Sequence, residues 1–146
     1  MPIDEVTNHG AIPALEAAMR FSAQRHRVIV NNIANLSTPD FVPMDVSVPE
    51  FQAQLREAVE RRREATGGQH GALEIRETRE VGVGPGGRLE LRPATPSGNV
   101  LFRDRNNRDV ERTMQDLVEN ATMFRVASDL LRSRLAILRV AISERV

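Results

Sequence analysis

Between Val110 and Ile142 the positions Val110, Met114, Leu117, Ala121, Phe124, Ser128, Leu131, Leu135, Leu138 and Ile142 alternate at spacings of four and three without a break. That repeat returns a side chain to the same line on a helix at every turn, which neither a strand nor a loop can use. Started from Asn107, such a helix would be about 54 Å long at 1.5 Å per residue. It is a rod, and its apolar line has to be covered along its length. A flanking stripe of Met123, Ala127, Leu130, Ile137 and Ala141 widens the apolar face beyond a two-helix seam, so part of it is expected to be covered only by neighbouring chains. Asn106 or Asn107 is placed to cap the start, and Asp109 and Glu111 put negative charge in the first turn, where the helix dipole favours it.

The same pattern recurs near the other end. Leu15, Met19, Ser22, His26, Ile29, Ile33 and Leu36 predict a second helical seam, with Pro13 tolerated in the first turn and Pro39 stopping the helix while biasing Thr38 to an extended backbone. On this seam His26 reads as a packed or register-setting polar residue. The expected fold is mostly α: one unit spanning 1–146, its helices at 12–36 and 107–143 paired as a coiled-coil hairpin around a variable middle, 37–106. That middle is expected to be irregular, with a short helix and a small β-hairpin. Phe51, Leu55 and Val59 stand one turn apart and predict the helix, in which Arg61, Arg62 and Arg63 read as a solvated face interleaved with Glu57, Glu60 and Glu64. Leu73-Glu74-Ile75, Val81-Gly82-Val83 and Leu89-Glu90-Leu91 alternate like short strands around "GPGG", consistent with a hairpin or a mobile loop.

Chemistry is harder to place on this chain. Twenty basic residues balance twenty acidic ones, so no global field favours nucleic acid or an anionic membrane. Aromatic residues make up 3%, with no Trp or Tyr, which argues against a small-molecule pocket or a base-stacking platform. Without cysteine there is no disulfide and no thiolate metal site. His9, His26 and His70 lack ligand spacing, and "GVGPGG" lacks both a full set of backbone donors and a following Lys-Ser/Thr helix start, so it is not a phosphate loop. No catalytic, cofactor or metal site is nominated, and an enzyme is not expected. No apolar run reaches the roughly 20 residues that span a bilayer, and "MPIDEVTNHG" has no apolar core of a secretory signal.

One stretch is locally unfavourable. In "NNIANLSTPDF", Asn31, Asn32 and Asn35 occupy the last turns of a helix, although the Asn amide competes for backbone hydrogen bonds. Periodicity puts Asn31 and Asn35 opposite the Ile29/Ile33 seam, in line with Arg20, Gln24 and Arg27, and Asn32 beside the seam. Two readings follow: the amides cap loose carbonyls at a fraying helix end, or they form a face that meets other protein, where an amide is cheaper to desolvate than a charge.

"NNIANLSTPDF" resembles the "ANNIAN..TPGY/F" signature of the N-terminal helix in bacterial flagellar rod and hook proteins. The stretch "NNRDVERTMQDLVENATMFRVASDLLRSRLAILRVAI" is similar to the C-terminal end of a proximal-rod member of that family and lacks the "MI..QRAY" type ending of others. Together the two motifs cover about half the chain. Asp40 stands where the family usually has Gly, and Val30 where it often has Ala. The resemblance implies a non-catalytic subunit of the periplasmic rod of the flagellar basal body, exported without a cleaved signal. Its partners would be other rod subunits, further copies of itself, the inner-membrane ring and the export gate, with no nucleic acid, cofactor or small-molecule substrate. It implies rod-motif and assembly roles for Asn31, Asn32, Ile33, Asn35, Thr38, Pro39 and Phe41, and for Asn107, Asp109, Met114, Asn120, Phe124, Leu131 and Leu138. A soluble coiled-coil adaptor or chaperone that binds partner helices is the alternative, because it would use the same seams.

Overall fold

The computed structural model describes residues 8–95 and 109–143. Its elements are α1 (Ile12–Ala34), α2 (Val48–Thr66), β1 (Val81–Gly84), β2 (Arg88–Leu91) and α3 (Val110–Ser143). The chain is mostly helical, with long helices toward both ends and a small two-stranded antiparallel sheet in the middle. The expected start of α3 shifts: its cap is Asp109, whose Oδ1 accepts from the Arg112 amide at 3.0 Å, and Asn106 and Asn107 lie outside the described residues. A carboxylate serves here as the capping acceptor.

Helix α1 begins with proline in its first turn and ends at Asn35, whose amide reaches the carbonyls of Asn31 and Asn32 at 3.2 and 3.3 Å. The chain then reverses through Thr38 and Pro39, and Asp40 adopts a left-handed backbone with φ of 59°. A left-handed residue with a Cβ costs roughly 1–2 kcal/mol, which Asp tolerates better than most and Gly avoids. We predict that Asp40→Gly stays within about 0.5 kcal/mol of the parent in urea denaturation while Asp40→Val loses about 1–2 kcal/mol. Equal midpoints for the two variants would show that the left-handed turn is not used.

Helix α2 starts at Ser47, whose Oγ accepts from the Glu50 amide, and stops at Gly67, where a left-handed φ of 69° turns the chain away. Its inner face is Phe51, Leu55, Ala58 and Arg62, whereas Val59, expected inside, is 38% exposed. Arg62 therefore departs from the solvated run expected of Arg61–Arg63. Its guanidinium donates to the carbonyls of His70 (3.1 Å), Gly10 (2.6 Å) and Asn8, tying the start of α1 to the loop after α2. Three carbonyl acceptors hold this buried cation, which has no carboxylate partner among the described residues.

The core lies where α2 and the hairpin meet α1. Phe21 and Phe51, both fully buried, stack with ring centroids 3.9 Å apart, and Ala17, Val46, Val81 and Leu89 close around them. Strands β1 and β2 pair Val81 with Leu91 and Val83 with Leu89 about a turn at Pro85–Gly87. Leu73 and Ile75, expected in a strand, pack on the core without joining a ladder among the described residues. Gln24, expected on the outward face of α1, instead bonds the hairpin: its Nε2 donates to the Leu89 carbonyl (2.6 Å) and its Oε1 accepts from the Leu91 amide (3.1 Å). One side chain thus continues the ladder of β2 onto a helix.

Helix α3, about 51 Å long by its 34 residues, lies antiparallel along α1. Asp116 reaches Arg25, Asn120 reaches Ser22, and Leu138 lines a cleft with Gly10 and Ile12 at the start of α1.

Candidate assembly surface

The contact between α1 and α3 follows the expected seams only in part. On α3 the buried residues are Asn120 and Ala127, with Leu131 and Leu138 half-buried, while the seam positions Phe124, Leu135 and Ile142 are 40%, 45% and 57% exposed. Met123 and Ala127, expected to await a neighbouring chain, are covered within the subunit. On α1 Ser22, Arg25 and Ile29 are buried, and His26, expected in the seam, is exposed. Each helix is therefore rotated by part of a turn: Ser22 and Ile29 of the α1 seam and Leu131 and Leu138 of the α3 seam stay in the contact, Arg25, Asn120 and Ala127 beside them join it, and the other seam positions turn outward.

Directional polar contacts account for that rotation. Arg25, 5% exposed, donates Nε to Asp45 Oδ1 (2.9 Å) and Nη2 to Asp45 Oδ2 (2.7 Å), and Nη2 also reaches Asp116 Oδ1 (3.1 Å). The fork geometry of guanidinium suits the bidentate pair. Burial alone would lower the Arg25 pKa, but the hydrogen bonds and charges of Asp45 and Asp116 outweigh it and the pKa is raised, so the group stays cationic. Four residues on, Asn120 donates Nδ2 to the Ser22 carbonyl at 2.8 Å, and its buried Oδ1 has no partner among the described residues. Arg25 thus joins α1, α3 and the segment after the turn. Asp45 extends that link, pairing its backbone with Ala94 through two bonds of 2.9 Å.

The asparagines at the end of α1 fall into distinct roles. Asn32 pairs with the Met44 backbone, donating Nδ2 to its carbonyl (2.6 Å) and accepting from its amide (3.2 Å). Asn35 donates Nδ2 to the Asn31 carbonyl (2.9 Å) and accepts from Thr38 Oγ1 (3.2 Å). These bonds build the helix end and pin the returning chain, as the capping reading expects. Asn31, Thr38 and Pro39 are exposed, and Ile33 and Phe41 are half-buried. Of the C-terminal candidates, Met114 and Phe124 are exposed, Asp109 caps the helix, and Asn120 faces α1. Sequence reasoning missed Arg25, Asp45, Asp116 and the Phe21–Phe51 stack. The available signal was the position of Arg25 one helical turn after Phe21 and Ser22 and one turn before Ile29, on the apolar side of the helix.

Among the described residues no group of three or more His, Asp or Glu side chains is placed to hold a metal. No described helix is long and apolar enough to cross a membrane. The exposed feature that stands out is instead α3, where large apolar side chains emerge on both sides of the α1 contact: Phe124 and Leu135 on one, Val126, Leu130 and Ile137 on the other. Scattered exposed apolar residues are ordinary, but rows along one helix mark an interaction surface.

No family model matches the chain. It is similar to the flagellar basal body rod protein FlgB of Salmonella typhimurium, at 27% identity over 135 residues, covering 83% of this chain and 89% of the relative.

Proposed function

We propose that this chain is a structural, non-enzymatic subunit of the proximal rod of a bacterial flagellar basal body. It reaches the periplasm through the flagellar export apparatus and there contacts other rod subunits, further copies of itself and the inner-membrane ring. In that position it helps transmit torque from the motor to the hook and filament. The similarity to a rod protein over most of both chains supports the reading. The observation that carries it is the double apolar exposure of α3. A helix with one spare face can close into a pair; two spare faces on opposite sides of the internal contact call for different neighbours on each, which suits an open polymer.

The residues that test it are those exposed in the free subunit. Leu135→Asp and Ile137→Asp, one on each face, are expected to preserve helicity and export while abolishing swarming. Each replaces an apolar side chain worth roughly 1.5–3 kcal/mol on burial with a carboxylate that resists burial. Leu131, half-buried inside the subunit, is a poorer probe because its loss also loosens the hairpin. Normal motility in both variants would sink the interface. Mass spectrometry of detergent-purified hook–basal bodies from the source organism is expected to find peptides from both ends of the chain. Their absence, with the protein abundant in the soluble fraction, would favour the adaptor.

A further inference from the structure

Apolar side chains recur along α1 and α3 at spacings of four and three. Sliding α3 along α1 by seven residues, about 10 Å, therefore returns apolar to apolar and changes the hydrophobic term little. A directional contact has to choose among the slid positions. Arg25 chooses weakly. Its fork is held by both oxygens of Asp45, which lies on the segment after the turn, and it keeps that pair wherever α3 sits. Its one bond to α3 goes to Asp116, a partly exposed carboxylate that can turn to water instead.

Asn120 has no such freedom. It is 2% exposed, its Nδ2 crosses to the Ser22 carbonyl at 2.8 Å, and its buried Oδ1 has no partner among the described residues. The amide reaches the backbone of α1 because Ser22 is small and its Oγ is folded back onto the Ala18 carbonyl at 3.0 Å. In an antiparallel pair a slide of seven would set Asn120 against Leu15 or Ile29, whose larger side chains stand between the amide and the backbone. Both ends of the amide would then be buried and unbonded. A slide of four brings it to Ala18, whose carbonyl already accepts from Ser22 Oγ, or to His26 at the exposed edge. The observed register satisfies Asn120 best, and even there half of the amide goes unbonded.

We propose that Asn120 fixes the axial register of α3 on α1 at a cost in stability: it weakens the contact it sits in and weakens the slid alternatives more. The register decides where the end of α3 is presented. From 132 to 143 only Leu138 is half-buried, and Leu135, Ile137, Val140 and Ile142 are exposed. A slide of seven would move these side chains about 10 Å relative to the core. Subunits in mixed registers would not present one surface, which a regular polymer of the kind proposed above requires.

The test uses the full chain, which has no cysteine of its own, with spin labels on cysteines introduced at Ala23 and Val140. Both positions are exposed and lie far apart along the helix axes, so a slide of seven changes their separation by nearly 10 Å. In Asn120→Leu the urea midpoint is expected to rise by at least about 0.5 M, because a buried amide with an unmet acceptor is removed. The distance distribution, single in the parent, is expected to gain a second population about 10 Å away. Should leucine prove too bulky to fold, Asn120→Val is expected to give the same pair of changes. A midpoint that rises in neither variant, a single unchanged distance, or two populations already in the parent overturns the proposal. Because register is measured on the isolated chain, its failure is separate from a failure to find the protein in basal bodies.

Discussion

Phe51→Ala is expected to lower the unfolding free energy by about 3–5 kcal/mol, read as a fall in the urea midpoint at unchanged m. Phe51 is fully buried against an equally buried Phe21, in a core that has no other aromatic residue among the described residues. Its removal deletes the stack and leaves a cavity that Ala17, Val46 and Val81 are too small to fill. For a domain whose total stability is of the order of 5–15 kcal/mol, that is enough to release α2 and the hairpin from α1 in a large fraction of molecules. A loss under about 1 kcal/mol would mean that the middle region is held by the polar clamps of Gln24 and Arg62 rather than by the core.

Arg25→Met is expected to be nearly as damaging, at about 3–5 kcal/mol if the carboxylates stay in place. Methionine keeps the volume but strands Asp45 and Asp116, whose side chains are 24% and 32% exposed and would turn toward water. That escape reduces the loss toward about 2 kcal/mol, at the expense of the link between α1 and α3. The informative readout is therefore positional. A spin-label pair on Ala23 and Val118, both exposed, is expected to show a broadened distance distribution in Arg25→Met and a single narrow one in the parent. An unchanged distribution would show that apolar contact alone sets the register of the two helices.

The same contrast separates what could be read from the residues alone from what could not. Periodicity sufficed for the long helices and the amphipathic middle helix, because each rests on local apolar spacing, whereas around GPGG it left a hairpin and a mobile loop both open until the β1–β2 pairing showed the hairpin. Val59 and Arg62 were misplaced because a one-residue rotation of a short helix exchanges a valine for an arginine stem, and the carbonyls that satisfy Arg62 come from a distant loop. The asparagine turn was legible as chemistry but not in its partner, since Met44 is brought to Asn32 only when the chain folds back.

By itself, then, the sequence determined that two long helices exist and that they carry more apolar surface than one pairing can cover. Only the tertiary structure decided which face of α3 meets α1. Apolar attraction is non-directional and nearly indifferent among adjacent apolar lines on one helix. Hydrogen bonds and ion pairs are not, and Arg25 with Asp116 and Asn120 with Ser22 select a single line, which turns the seam residues Phe124, Leu135 and Ile142 outward.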